Sequence, residues 1–339
     1  MNKLFLPTQL KDYYTFFQVP ARRWWFALIG LIGTLVLVAG YAMLFSLMPD
    51  VERPENVIEG AWQYPLEFLA GNLFLGGLIV VAILASWIFY RQGFGWLSSV
   101  VGRFRWKWFS VTLAVFGIGF LLNHICAFLL LGMPAGIEGL ELAVRPYTAL
   151  MIIVILLATP FQAAGEEYFF RGMIGRLVAA AVPFRKAGLI LSCVISTLFF
   201  MTLHNDASLT NNLLYITMGL ACWWLAYRTG GIEASIALHT LQNIVGRWSI
   251  PFINFAELPE RADNGVFSMI LEIVFLIILT LIIDLLARRR GLVRMSSPSA
   301  EIPEVVKTGK MVIDIASSAE PATKDDLPRF DTTVRLYNS

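Results

Sequence analysis

Charged residues are scarce in this chain of 339 residues. Only 15% of them are Asp, Glu, Lys or Arg, whereas 57% are hydrophobic, and the mean hydropathy is +0.68. A soluble globular domain carries about 25% charged residues, so the composition excludes an ordinary soluble protein. The chain is therefore predicted to be a polytopic membrane protein in contact with membrane lipid, and no nucleic acid partner is expected.

Cysteine and several familiar active-site patterns are also rare or missing. Cys126, Cys193 and Cys222 all fall inside predicted helices, and an odd number of thiols at membrane depth argues against a disulfide framework and a cysteine-based metal site. The sequence holds no HExxH zinc helix, no glycine-rich phosphate loop and no internal repeat. No Ser or Cys nucleophile is paired with a base in a recognisable pattern.

Long hydrophobic runs are what the sequence does contain. Runs of about 17–25 residues mark membrane-spanning helices. Eight are predicted, and they give an all-α polytopic helical bundle: 24–47, 69–90, 108–132, 147–180, 187–204, 209–227, 231–247 and 266–287. The fourth run is long for one span and the seventh is short. No small-residue cleavage site follows the first run, so it is predicted to be a retained helix.

Basic and acidic connections alternate along the chain. The basic ones include Arg103, Arg105 and Lys107 between runs two and three, Arg185 and Lys186 between runs four and five, and Arg288–Arg290 after run eight; acidic ones include Asp50–Glu59 and Glu257–Asp263. By the positive-inside rule, both termini are predicted to be cytoplasmic, and an even number of spans agrees with this because it places both termini on one side. We expect a multi-pass protein of the cell membrane, and the compact connections favour a bacterial source.

The fourth run carries two adjacent carboxylates, Glu166 and Glu167. A carboxylate in the hydrocarbon region costs about 2.5–3.5 kcal/mol on insertion scales, so such groups face protein or water and usually serve function. Arg171 follows Glu167 at i,i+4 and can neutralise it across one helical turn. Glu166 lies about 100° around the helix and has no such partner, which makes it the leading candidate for chemistry.

The sequence contains three histidines, and each can be considered as a partner of Glu166. His124 stands in run three and is interpreted as a hydrogen-bonded core residue. His204 closes run five, and His239 is followed four residues later by Asn243 in run seven. Glu166 and His204 lie at similar distances from the predicted turn at Pro183–Lys186, so they can be level in the membrane, and the residues of run seven can face the same cavity.

These residue types fit hydrolysis by direct attack of water on a carbonyl. A buried glutamate can act as a general base, and an imidazole nearby can orient the water. Asn and His donors can stabilise the oxyanion of a tetrahedral intermediate, a contribution of roughly 3–4 kcal/mol for one good donor.

Three motifs, Glu166-Glu167-x-x-x-Arg171, Phe200-x-x-x-His204 and His239-x-x-x-Asn243, occur in this order within residues 147–247. This stretch resembles the CAAX protease and bacteriocin-processing (CPBP, or ABI) family of intramembrane endopeptidases. The resemblance implies a glutamate-dependent, metal-independent peptidase whose membrane-embedded site opens to the cytoplasm. It implies Glu166 as catalytic base, His204 as a holder of the water, and His239 and Asn243 as the oxyanion hole, with Glu167, Arg171 and Phe200 as support.

Some CPBP members have been described as metalloproteases. A zinc ion is therefore kept as the alternative to a cofactor-free site, with Glu166, His204 and His239 as its ligands. The expected substrate is a membrane-associated or lipidated peptide or protein. Two other functions stay open: a non-catalytic membrane scaffold that binds other membrane proteins, and a small-molecule or ion transporter, although the chain lacks a repeat of broken helices.

The resemblance divides the chain into five segments. A cytoplasmic N-terminal segment covers residues 1–23, helices one to three cover 24–146, and the CPBP-like catalytic core covers 147–247. An outer connection and helix eight (248–290) precede a tail (291–339) that is predicted to be disordered because its apolar runs vanish. A membrane-protein partner is expected to contact helices one to three, helix eight or the tail, if the protein has one.

Overall fold

A computed structural model of the protein describes residues 4–47, 63–132, 142–253 and 265–298. The acidic connections predicted at Asp50–Glu59 and Glu257–Asp263, and residues 299–339 of the predicted tail, lie outside the described residues.

The described part of the chain is almost entirely helical. Its ten α-helices are α1 (Trp24–Ser46), α2 (Gln63–Tyr90), α3 (Phe94–Ser98), α4 (Trp106–Leu131), α5 (Thr148–Glu167), α6 (Arg176–Ala181), α7 (Arg185–His204), α8 (Leu209–Thr229), α9 (Glu233–Val245) and α10 (Val266–Arg289). A π-helical stretch, Tyr168–Gly175, joins α5 to α6 without a break. Short 3₁₀ turns cover Tyr14–Phe17 and Ile250–Phe252, and β1 (Lys11–Asp12) pairs antiparallel with β2 (Met295–Ser296).

Each of the eight predicted runs coincides with a helix or, for the fourth, with the continuous unit α5–π–α6. In the described ranges, six helices are long and apolar enough to cross a membrane: α1, α2, α4, Thr148–Ala181, α7 and α10. The chain is thus a polytopic helical membrane protein. The predicted runs six and seven, α8 and α9, are not among these six; α9 has only 13 residues, which is shorter than a full span requires.

One end of the bundle carries most of the basic side chains, and we call it the basic end. Arg105 bonds to Glu233 at the start of α9, Arg228 at the end of α8 pairs with Asp284, and Arg288 also bonds to Asp284 at i,i+4, as its spacing predicts. Helices α4, α7 and α9 start at this end, and α6, α8 and α10 finish there.

The N-terminal segment packs into the basic end. Tyr13, Tyr14, Phe16 and Phe17 are at most 1% exposed. The Tyr13 hydroxyl donates to the carbonyl of Leu97 (2.6 Å), and the Tyr14 ring stacks on Trp223 with centroids 4.7 Å apart. Burial of these aromatic rings anchors the segment against the helices.

The described residues that follow α10 also pack against the N-terminal segment at the basic end. Strand β2 pairs with β1, and the Ser296 hydroxyl donates to the carbonyl of Val100. The prediction of disorder from residue 291 therefore does not hold for Met295–Ser296, because these residues gain backbone partners in the N-terminal segment.

Helix α5 lies very close to α2 because both helices carry glycine at the contact. A Cβ atom on Gly165 would overlap the backbone carbonyl of Leu75, and one on Gly76 would overlap the ring of Phe161. The close approach fixes the depth and rotation of α5 just before Glu166 and Glu167. The π-helical stretch begins directly after Glu167, and such stretches occur frequently at functional sites.

Candidate active site

Glu167 is the fully buried centre of a polar cluster. Its Oε1 accepts from the Arg171 guanidinium (2.9 Å) at i,i+4, which confirms the pairing predicted from the spacing. Arg171 is equally buried, donates to the carbonyl of Gly219 on α8 (3.2 Å), and lies over the ring of Phe200. The arginine therefore holds Glu167 in place against α7 and α8.

His239 lies between the two glutamates. Its Nδ1–H donates to Glu167 Oε1 (2.8 Å), and its Nε2 lies 3.3 Å from Glu166 Oε2. The carboxylate that fixes Nδ1 as the donor also fixes the ring orientation and directs Nε2 toward Glu166. Because Nδ1 is engaged with Glu167, Nε2 is the ring nitrogen that remains for chemistry.

Glu166 has a less complete set of partners than Glu167. Its Oε1 accepts from the Gln162 side-chain amide (2.7 Å), one turn earlier on α5. Its Oε2 makes no hydrogen bond to any described residue, although the carboxylate is only 5% exposed. Buried polar atoms are nearly always satisfied, so an orphaned carboxylate oxygen beside an imidazole nitrogen is typical of a reactive site.

Asn243 is connected to Glu166 through Gln162. The Asn243 amide donates to Gln162 Oε1 (2.9 Å), and Gln162 in turn donates to Glu166. The relay joins α9 to α5 across the site. The amide of Asn243, which the resemblance assigns to an oxyanion hole, thus donates to a neighbouring side chain in this structure.

His204 is positioned by the turn that follows α7. The helix ends because Asn205 adopts the left-handed conformation (φ 45°), which asparagine tolerates better than most residues. The His204 Nδ1–H donates to the carbonyl of Phe200 (2.8 Å), and its ring stacks on Tyr215 with centroids 4.1 Å apart. Asp206 accepts the Tyr215 hydroxyl (3.4 Å) and thereby holds the stack.

A cavity of about 1100 Å³ brings these residues together. Its wall includes His204, His239, Asn243 and Phe200, and Phe200 contacts both histidine rings. Glu166 is not among the described wall residues, but its Oε2 lies 3.3 Å from Nε2 of His239, which is one of them. His124, which was predicted to be a core residue, also faces this cavity and donates to the carbonyl of Phe120 (3.2 Å).

Comparison with known proteins places the site in a family. The model of the Rce1-like family, type II CAAX prenyl endopeptidases, matches residues 146–245. Residues 146–245 form an Rce1-like domain of the CPBP family. That stretch contains every predicted site residue, from Glu166 to Asn243.

A protein of Bacillus subtilis (strain 168) is similar in sequence to this chain. The uncharacterized protein YyaK is 24% identical over 233 residues, which cover 66% of this chain and 75% of YyaK. No solved structure matches the chain. The comparisons therefore place residues 146–245 in a family of membrane proteases described as CAAX prenyl endopeptidases, and the relative YyaK has no assigned activity.

The CPBP domain does not show a preformed zinc site. Among the described residues, no three His, Cys, Asp or Glu side chains converge as metal ligands would. Glu166 and His239 are neighbours, whereas the His204 ring is stacked on Tyr215, and its Nδ1–H bond to the Phe200 carbonyl leaves Nε2 as its other ring nitrogen. Glu166 and His239 are thus two neighbouring candidate ligands, and the zinc alternative stays a prediction.

Sequence reasoning missed three residues that shape the CPBP site: Gln162, Asp206 and Tyr215. Gln162 could have been found, because it precedes Glu166 by four residues and so shares its helix face. Asp206 and Tyr215 depend on a turn whose geometry comes from Asn205, and no spacing in the sequence predicts their contact with His204. Glu272 on α10 also faces the cavity and accepts from the Gln242 side-chain amide.

Proposed function

We propose that this protein is an intramembrane endopeptidase that hydrolyses a peptide bond of a membrane-associated substrate with water activated by Glu166. The orphaned Oε2 of Glu166, 3.3 Å from His239 Nε2, carries the proposal. Membership of residues 146–245 in a family of membrane proteases supports the reaction class.

In the proposed reaction, the oxygen of a water molecule attacks the scissile carbonyl carbon while Glu166 takes a proton from that water. The C–N bond then breaks, and the proton passes to the leaving amine nitrogen. Glu166 receives the proton from the water either directly or through His239 Nε2, which lies 3.3 Å from Glu166 Oε2. Glu167 holds the Nδ1–H of His239 throughout and so preserves the direction of Nε2.

The oxyanion is stabilised by donors on the cavity wall in this proposal. Asn243 faces the cavity one turn beyond His239 on α9, and His204 approaches from the end of α7. Rotation of the Asn243 amide from Gln162 toward the substrate carbonyl would supply a donor where negative charge develops. Apolar residues around the rest of the cavity would bind the flanking part of a peptide or its lipid.

Glu166→Gln tests the proposal most directly. The amide keeps the size and polarity of the side chain but cannot accept the proton, so we expect cleavage of a peptide library by purified protein to fall by about 10²–10⁴. Asp284→Asn is the matched control, because it removes another buried carboxylate that is fully paired with Arg228 and Arg288. The control should keep its turnover.

Two results would count against the proposal. Turnover by Glu166→Gln equal to that of the wild type, at equal amounts of folded protein, would remove Glu166 from the mechanism. Failure of the wild-type protein to cleave any member of the library would favour the scaffold reading.

A further inference from the structure

The large cavity lies at the end of the bundle opposite the basic end. Its walls come from the second half of α4, the first turns of α5, the end of α7, the start of α8, the second half of α9 and the first turns of α10. Helices α4, α7 and α9 start at the basic end, and α5 (through α6), α8 and α10 finish there. Every wall segment therefore belongs to the helix half remote from the basic end.

The basic end itself is sealed by packed side chains. The aromatic N-terminal segment covers Arg176, whose guanidinium lies 3.8 Å from the centre of the Tyr13 ring and donates to the carbonyl of Trp96. Arg105 and Glu233 close the space between α4 and α9. A second cavity of about 330 Å³ at this end is bordered by residues 8–24, Tyr90 and 180–183, and it includes none of the site residues.

Glu166 lies near the middle of the continuous helix from Thr148 to Ala181. It is 18 positions from Thr148 and 15 from Ala181, which at 1.5 Å per residue is about 27 Å and about 22 Å. The cavity wall, and not the depth of Glu166, therefore places the site toward the end opposite the basic end.

The distribution of arginine and lysine identifies which side this is. Basic residues at the basic end include Arg22, Arg23, Arg103, Arg105, Lys107, Arg185, Lys186, Arg228 and Arg288–Arg290, whereas the described residues at the other end include Arg145 and Arg247. Positively charged connections stay in the cytoplasm during membrane insertion. The sealed basic end thus corresponds to the cytoplasmic side.

We propose that the cavity opens to the extracytoplasmic side, and that the substrate is a polypeptide segment presented there. An exported peptide or an extracytoplasmic segment of another membrane protein has this chemistry. The substrate class rests on the proposed peptidase function, but the side of the opening does not. The proposal differs from the cytoplasmic opening that the family resemblance implies, and it excludes a lipidated C-terminus that remains in the cytoplasm.

Thiol labelling from each side of the membrane tests the opening. Ser268→Cys places a thiol on the cavity wall, and Lys186→Cys places one on an exposed position of the basic end. Both are made in a background with Cys126→Ala and Cys193→Ala, and the fully buried Cys222 is retained. A membrane-impermeant maleimide should label Ser268→Cys in bacterial spheroplasts and Lys186→Cys in inverted vesicles, with the background protein unlabelled in both.

Each other labelling pattern overturns the proposal. Labelling of Ser268→Cys from inverted vesicles shows a cytoplasmic opening, and labelling from neither side shows a cavity closed to water. Labelling of Lys186→Cys in spheroplasts overturns the orientation. The readout needs no turnover, so adding Glu166→Gln should leave both patterns unchanged, and a failure of the peptidase proposal remains distinguishable from a failure of this one.

A cleavage assay then tests the substrate class. Library peptides added from outside should be cleaved by spheroplasts that contain the wild-type protein and not by those that contain Glu166→Gln. Cleavage by inverted vesicles with none by spheroplasts would contradict an extracytoplasmic substrate.

Discussion

Two buried glutamates of the same helical core, Glu233 and Glu166, have very different surroundings. Glu233 Oε1 accepts from the backbone N–H of Arg105 (2.9 Å) and from its Nε (2.8 Å), and Oε2 accepts from Nη2 (2.6 Å). Glu166 has one amide donor on Oε1 and an unsatisfied Oε2 beside His239. A saturated carboxylate stabilises the fold, whereas a half-satisfied one retains the capacity to accept a proton.

The same contrast separates the two ends of the bundle. At the basic end, Glu233 also lies in the first turn of α9, where a negative charge is favourable. Around the cavity, polar groups such as His204 and Asn243 face open space. Packing at the basic end therefore supplies a rigid frame from which α5 and α9 position the reactive groups.

The largest expected effect is a loss of stability when the saturated carboxylate of Glu233 is replaced. Glu233→Met leaves the Arg105 guanidinium buried without its carboxylate, and removing one member of a buried pair costs about 3–5 kcal/mol. We expect a marked loss of monodisperse protein in detergent and a lower apparent Tm. The Glu166→Gln protein should match the wild type in the same measurement.

A double substitution serves as the control for that prediction. Arg105→Met combined with Glu233→Met removes both charges, so it should be less destabilised than Glu233→Met, because well-packed apolar pairs often replace buried ion pairs at little cost. If Glu233→Met is as stable as the wild type, the saturated carboxylate is not structural and the comparison fails.

The next effect concerns catalysis at Asn243. Asn243→Ala removes the amide from the cavity wall, and we expect kcat to fall by about 10²–10³ if that amide donates to the oxyanion. Turnover kinetics of purified protein measure the effect, with thermal stability as the control for folding. A fall in kcat of less than about threefold would show that Asn243 positions Gln162 and does not donate to the oxyanion.

The positions of the helices could be predicted from the sequence, because long hydrophobic runs mark membrane-spanning helices and charged residues mark the connections between them. The pairing of Glu167 with Arg171 and that of Asp284 with Arg288 followed from their i,i+4 spacing. The contact of His239 with both glutamates could not be predicted, because it depends on the rotation of α5 against α9. That rotation is set by contacts such as Gly165 against Leu75 and by the buried start of α9 at Glu233.

The contacts among the site residues also could not be predicted without three-dimensional information. Spacing pairs Glu167 with Arg171, but Glu167 Oε1 in fact holds both Arg171 and His239. Nδ1 of His239 faces Glu167 and Nε2 lies 3.3 Å from Glu166, so the oxyanion-hole role expected for His239 stays a prediction. No one-dimensional pattern distinguishes these two orientations of an imidazole.

A smaller effect is expected at Gln162, which positions Glu166 and does not face the cavity. Gln162→Leu removes the donor to Glu166 Oε1, a charge-assisted hydrogen bond of about 1.5–3 kcal/mol, so we expect kcat to fall by about tenfold to a hundredfold. KM should stay unchanged, because Gln162 lies outside the described wall of the cavity. An increase in KM with unchanged kcat would show that Gln162 acts on substrate binding.

The smallest expected effect is that of metal removal. If Glu166 activates water directly, treatment with phenanthroline should leave the rate within about twofold of its starting value, and metal analysis of the purified protein should find no stoichiometric zinc. Glu167 Oε1 already accepts from Arg171 and His239, and the His204 ring is stacked on Tyr215 with its Nδ1–H bonded to Phe200. Glu166 and His239 Nε2 form a neighbouring pair, but no three His, Cys, Asp or Glu side chains converge among the described residues, whereas catalytic zinc takes three protein ligands as a rule. Zinc at about one ion per chain, with activity lost to the chelator and restored by added zinc, would instead require His204 to leave Tyr215 and join the pair. That outcome would keep the same residues, but it would make the orphaned oxygen of Glu166 a metal ligand and no longer the base.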